Sequence, residues 1–246
     1  VRARPSTVLL ATAALLAALA APAAPAAAQA PPRPDPAPSA GLDRAVAGWH
    51  PGRHLPFLSI VTPVDPWTRA SMVGVSWKPG CPVPIEDLRI VTMTFWGFDD
   101  RPHVGRLMVH EDVARDVTRV FGQLYEQRFP IRRMQLIEAY GGSDDASMAA
   151  DNTSAFNCRP ITGTTDRFSI HSYGKAIDVN TVENPYVKGT TVLPAAGRDY
   201  LDRTDVRPGM VVAGDSVVKA FAERGFAWGG DYTSLKDYQH FEIPNP

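Results

Sequence analysis

Between residues 88 and 140 the apolar positions change period twice. Leu88 to Trp96 is a nearly continuous apolar run, and Met134 to Tyr140 is a second, shorter one. Both read as strands. Between them, from about Glu111 to Gln127, Val113, Val117, Val120, Phe121 and Leu124 recur at helical spacing, with Pro130 just beyond the end. This predicts an amphipathic helix with one buried stripe. A shorter helix is predicted from about Ser216 to Arg224, with Asp215 as N-cap, Val217, Val218 and Phe221 facing inward, and Gly225 ending it. The polar stretch from Gly141 to Arg167 reads as loop. Strands on either side of the helices, with no internal repeat, suggest an α+β domain built on an antiparallel sheet.

In the C-terminal third the pattern turns to short alternations. Ala176 to Asn180 places Ile177 and Val179 on one face and Ala176, Asp178 and Asn180 on the other. His240-Phe-Glu-Ile243 repeats the arrangement, with His240 and Glu242 on one face and Phe241 and Ile243 on the other. Two such strands would present Asp178 and His240 to a common cleft.

The first thirty residues bear on compartment. Arg2 and Arg4, the apolar run Val8 to Ala20 and the small residues ending in Ala28-Gln29-Ala30 read as a secretory signal peptide. The apolar run is short for a bilayer span and is followed by Pro22 and Pro25, so no stable membrane insertion is expected after cleavage. The Pro-rich stretch to about residue 40 reads as a spacer, leaving 41–246 as one expected domain. Removing Arg2 and Arg4 from the 25 basic residues leaves 23 against 26 acidic, a net charge of −3. Nothing in that balance suggests a nucleic-acid partner. Export would favour pairing of Cys81 with Cys158. The bridge would close a long loop and stabilise the fold by roughly 4 kcal/mol; the alternative is two buried free thiols.

The candidate chemistry lies in Ser169-Ile-His171-Ser-Tyr-Gly174-Lys-Ala-Ile-Asp178. On a straight helix the seven-residue offset from His171 to Asp178 is about 10.5 Å of rise, awkward for two ligands of one ion. A turn at Gly174 followed by a strand would bring them together. Asp237 lies three residues before His240, an odd offset that puts it on the wrong face of a continuous strand. It is expected instead in the turn leading into that strand, placed to act as a general base without ligating a metal.

Together these residues resemble the M15 metallopeptidases, the D-alanyl-D-alanine carboxypeptidase family. They are most similar to its branch of phage L-alanyl-D-glutamate endopeptidases. The resemblance rests on the motif at 169–178, on Asn184-Pro-Tyr186, and on Phe226-Ala-Trp-Gly-Gly230 followed by Asp237-x-x-His240-Phe-Glu242. It implies a small antiparallel sheet flanked by helices, like the DD-peptidase and hedgehog-type zinc fold. It also implies His171, Asp178 and His240 as zinc ligands and Asp237 as catalytic acid/base. Asn152 to Arg159 resembles the family segment that carries a substrate-binding or carbonyl-polarising arginine, which makes Arg159 the candidate. Gln239 departs from the methionine many relatives place before the histidine.

Blander readings stand beside these. Arg159 would otherwise pair with Asp144, Asp145 or Asp151. Trp228 and Tyr232 would line a groove or simply pack. Glu242 is expected to orient a histidine, and Ser169 to hold the ligand loop by a hydrogen bond. His50, His54, His103 and His110 carry no comparable context. The implied function is a secreted or envelope-associated zinc peptidase, expected to be monomeric, that cuts an amide bond of peptidoglycan stem peptides. Either the D-Ala-D-Ala or the L-Ala-D-Glu bond fits. The alternative is a non-catalytic zinc-containing wall-binding or structural domain.

Overall fold

A computed structural model describes residues 40–161, 164 and 167–244; the expected signal peptide and nearly all of the spacer lie outside the described residues. The central layer is an antiparallel sheet of order β1-β2-β3, formed by Ser59–Pro63 (β1), Leu88–Trp96 (β2) and Pro102–His110 (β3). The strand expected at 88–96 is therefore present. Its lack of polar alternation has a cause, because both faces of the sheet are covered. Val91, Met93 and Phe95 point into one core with Leu107 and Val109, while Leu88 and Ile90 point into another with Met108.

The first core is closed by helix α3 (Glu111–Glu126), whose buried stripe is the one predicted. Helix α5 (Ser216–Ala222) adds Phe221, stacked on Phe241 at 3.8 Å between ring centroids. Asp215 caps α5 by accepting a hydrogen bond from the Val218 N–H at 2.8 Å. The second core lies beside helix α2 (Pro66–Met72) and includes Met72, Ile85 and Phe156. It also holds the Cys81–Cys158 disulfide, which spans 77 residues of sequence. Helix α1 (Ala40–Ala47) completes the N-terminal part.

Two readings of the pattern need correction. The strand expected at 134–140 is only Arg133–Met134 (β4); Ile137–Tyr140 is a 3₁₀ turn ended by Gly141 in the left-handed region. The adjacent apolar pair Leu136 and Ile137 breaks strand alternation there, and Glu138 turns inward to accept a hydrogen bond from Ser76. The segment 141–167 is not a plain loop. It contains helix α4 (Asp144–Ala149), capped by Ser143, and strand β5 (Asn152–Thr153), which pairs in parallel with β4. Residues 151–158 are buried, and the side chains of Asp151, Asn152, Thr153 and Asn157 hydrogen-bond to backbone groups 15 to 31 residues away. Asn152 both donates to the Gln135 carbonyl and accepts from the Gln135 N–H, each at 2.9 Å.

Two further three-stranded antiparallel sheets carry the functional end. One has the order β6-β11-β9, from Ala176–Asp178 (β6), His240–Glu242 (β11) and Ala227–Trp228 (β9). The other has the order β10-β7-β8, from Lys236–Asp237 (β10), Tyr186–Lys188 (β7) and Thr191–Leu193 (β8). The architecture is α+β with small antiparallel sheets and helices, as expected. Among the described residues, no helix is long and apolar enough to cross a membrane.

Candidate metal centre and its cleft

The seven-residue offset between His171 and Asp178 is closed by a turn and a strand. Ser169 caps a 3₁₀ turn, Ile170–Tyr173, its Oγ accepting from the His171 N–H at 3.4 Å. Gly174 then reverses the chain at φ 66°. A Cβ there would lie 2.6 Å from the His110 nitrogen, so only glycine fits both the angle and the contact. Strand β6 follows at once, and its Asp178 stands directly opposite His240 of β11.

Three donor atoms converge. Asp178 Oδ2 is 3.1 Å from His171 Nε2, Asp178 Oδ1 is 3.0 Å from His240 Nδ1, and the two imidazole nitrogens are 3.2 Å apart. All three residues are buried, with relative exposures of 4%, 5% and 8% for His171, Asp178 and His240. Each imidazole is held from behind. His171 Nδ1 lies 2.6 Å from the Ala155 carbonyl, and His240 Nε2 lies 3.2 Å from Glu242 Oε2. Both partners accept hydrogen bonds, so with a proton on each of these outer nitrogens the lone pairs of Nε2 and Nδ1 would face inward, toward a bound cation.

Two imidazole nitrogens and a carboxylate meeting in a buried space are a donor set that could hold a divalent cation. A tetrahedral ion with bonds of about 2.0–2.1 Å would hold its donors roughly 3.3 Å apart, close to the spacings here. The residues therefore fit a metal. The electrostatics agree. Burial opposes ionisation of Asp178, yet the two imidazoles hold its pKa far below the usual carboxylate range. Burial likewise opposes charge on His240, but hydrogen bonds to Asp178 and Glu242 carry its pKa up to about 10. The pocket demands positive charge, which a metal ion supplies.

Asp237 does not occupy a turn, as expected from its offset, but strand β10, where it pairs with Tyr186 of β7. Tyr238 and Gln239 carry the chain across to β11, so Asp237 and His240 belong to different sheets. The two approach because Gly229 lies beneath them: a Cβ on Gly229 would be 2.6 Å from the Asp237 carbonyl oxygen and 3.2 Å from the His240 Cβ. Burial pushes the pKa of Asp237 up to about 7, with the nearby His240 charge opposing and Asp178 adding to the rise. Among the described residues its Oδ1 is buried without a hydrogen-bond partner. It is not a member of the three-residue cluster.

A cleft of about 410 Å³ joins these groups, lined by His171, Asp178, Asp237, His240 and Glu242 together with Arg159. Arg159 lines the cleft and is paired to Asp144 at 2.6 Å, the ion pair named as its blander reading. Of the aromatics, Tyr232 lines the cleft and donates to Glu242 Oε1 at 2.7 Å, whereas Trp228 packs in the core. His103 pairs with Asp99, His110 caps α3, and His50 and His54 are exposed; none lines the cleft. Sequence reasoning missed the Ala155 carbonyl, for which no side-chain signal exists, and the wall supplied by β7.

Residues 162–243 match the family model described as D-alanyl-D-alanine carboxypeptidase, a class of M15 peptidase. Residues 162–243 belong to the M15 peptidase family. No curated protein and no solved structure matches the chain. The M15 segment contains all three members of the metal cluster and Asp237, and it begins just after Arg159. Within the M15 segment, the two small sheets are the frame that brings those residues together.

Proposed function

We propose that this chain is an exported, monomeric zinc peptidase that hydrolyses an amide bond in peptidoglycan stem peptides, either D-Ala-D-Ala or L-Ala-D-Glu. The observation that carries the reading is the convergence of His171 Nε2, Asp178 and His240 Nδ1 beside a buried Asp237 carboxylate on one cleft. His171, Asp178 and His240 would hold the zinc, an assignment their two nitrogens and one oxygen favour. When bound, zinc supplies Lewis acidity toward a carbonyl oxygen and toward water.

The protein's own groups do the rest. Asp237 accepts the proton of the attacking water and delivers it to the leaving nitrogen. Arg159 turns a fixed positive charge toward the oxygen on which negative charge develops, with Asp144 setting its position. Glu242 and the Ala155 carbonyl keep both imidazoles in the tautomer that ligates.

Asp237→Asn tests this division of labour. Zinc content should remain near wild type while hydrolysis falls by about 10² to 10⁴-fold, read by mass spectrometry of digested muropeptides. Retained turnover removes Asp237 from the mechanism. Binding to sacculi by the wild type, with no release of amino groups, would instead favour a wall-binding domain.

A further inference from the structure

The sheet β10-β7-β8 forms the wall of the cleft that faces the metal cluster, and its register decides which side chains share that wall. Asp237 stands opposite Tyr186, and Tyr186 stands opposite Leu193. Residues paired across antiparallel strands project to the same face, as do residues two apart on one strand. Lys188 is two residues beyond Tyr186 and therefore shares the face of Asp237, roughly 7 Å further along the strand. All four side chains line the cleft.

Charge is divided unevenly over this space. The side toward the metal carries Asp178, Asp237 and Glu242. The cations Arg159, Arg167 and Lys188 also line the cleft, and Arg159 is already matched by Asp144. Among the described residues no carboxylate pairs with Lys188, and its side chain is exposed. An unmatched ammonium that shares a face with the proposed general base is placed for a substrate anion close to the reacting bond.

We propose that Lys188 is a specificity-determining residue that binds a free carboxylate on the carbon next to the leaving nitrogen. The inference rests on the peptidase reading and narrows its substrate class. Both candidate bonds meet the requirement. The nitrogen released from D-Ala-D-Ala sits on a carbon that bears the terminal carboxylate. The nitrogen released from L-Ala-D-Glu sits on the α-carbon of a glutamate joined onward through its γ-carboxyl, which leaves the α-carboxylate free. Asp237 protonates that nitrogen, so the carboxylate, two bonds from it, is carried further along the wall that presents Lys188. A bond whose leaving residue is amidated at that position, or continues as an ordinary α-linked peptide, offers no such anion.

The test compares two peptides that differ only in having a carboxylate or a carboxamide on the leaving residue. Calorimetric titration of the metal-free protein reads binding without turnover, and kinetics of the zinc-loaded protein reads hydrolysis. Wild type should prefer the carboxylate about tenfold in both, the hydrolytic difference appearing in KM. Lys188→Met should lose that preference while keeping zinc content, melting temperature and carboxamide hydrolysis, and Lys188→Arg should restore most of it. An equal preference in wild type and Lys188→Met overturns the proposal, as does a preference that survives Lys188→Met but disappears in Arg167→Met. If the zinc-loaded wild type cuts neither peptide nor any muropeptide, the peptidase reading falls and this inference with it. Hydrolysis of both forms at equal rates sinks the carboxylate anchor alone.

Discussion

The Tyr232 hydroxyl donates a 2.7 Å hydrogen bond to Glu242, whose other oxygen holds His240 Nε2 at 3.2 Å. A residue on the cleft surface is thus connected, through one carboxylate, to the nitrogen that must keep its proton if His240 is to ligate through Nδ1. Burial and Glu242 raise the pKa of Tyr232, which keeps the phenol protonated as a donor.

Tyr232→Phe should therefore weaken zinc binding without touching a ligand. About a tenfold loss is expected, and a larger one for Glu242→Gln, because partners behind metal ligands typically contribute 10- to 100-fold in affinity. Competition with a chromophoric chelator measures both. An unchanged affinity in Tyr232→Phe would mean that Glu242 is held in place without the phenol.

Gly174→Ala should destabilise the metal-free protein by at least about 2 kcal/mol, from the left-handed backbone and the added methyl group. The strain falls on the turn between the first two members of the cluster, since that Cβ meets the backbone nitrogen of His110. Denaturant unfolding reads the cost. Zinc affinity should fall with it, because a shift of this turn moves the 3₁₀ segment that carries His171.

Glu183 predicts a pH dependence of stability. It is 1% exposed, with one oxygen 3.5 Å from Arg132 and the other without a hydrogen-bond partner among the described residues. Burial, reinforced by Asp151, pushes its pKa up to about 8 from an ordinary value of 4.5. The folded state holds this proton more tightly than the unfolded chain does. Its stabilising contribution is therefore complete below about pH 4.5 and is lost as pH rises through about 8. Urea unfolding of wild type and Glu183→Gln at pH 5, 7 and 9 isolates the effect. The variant should gain on wild type across that interval, and parallel pH profiles would show that Glu183 is not the group responsible.

The parts of this site that sequence made legible are local ones. Ser169, His171, Gly174 and Asp178 lie within ten residues, and a cap, a turn and a two-residue alternation bring their side chains together. His240 and Glu242 follow the same alternation. The long helix was readable because its stripe spans four turns. What escaped depends on partners distant along the chain. The buried course of 151–158 is polar in composition, and its satisfaction by Gln135 or by the strand at 176–178 leaves no periodic mark. Strand β10 is two residues long, too short for any period, so Asp237 read as part of a turn.

That division of the cleft between two sheets has an evolutionary corollary. Strands β6 and β11 pair with one another, and Asp178 of β6 bridges to Ser154 of the buried 152–156 segment, whereas β8 forms an outer edge of the facing sheet. Residues on that outer hairpin could be exchanged, lengthened or recharged with little disturbance of the cluster of His171, Asp178 and His240. Enzymes of this architecture would thus be free to change diet by remodelling one ribbon while inheriting the reactive centre intact.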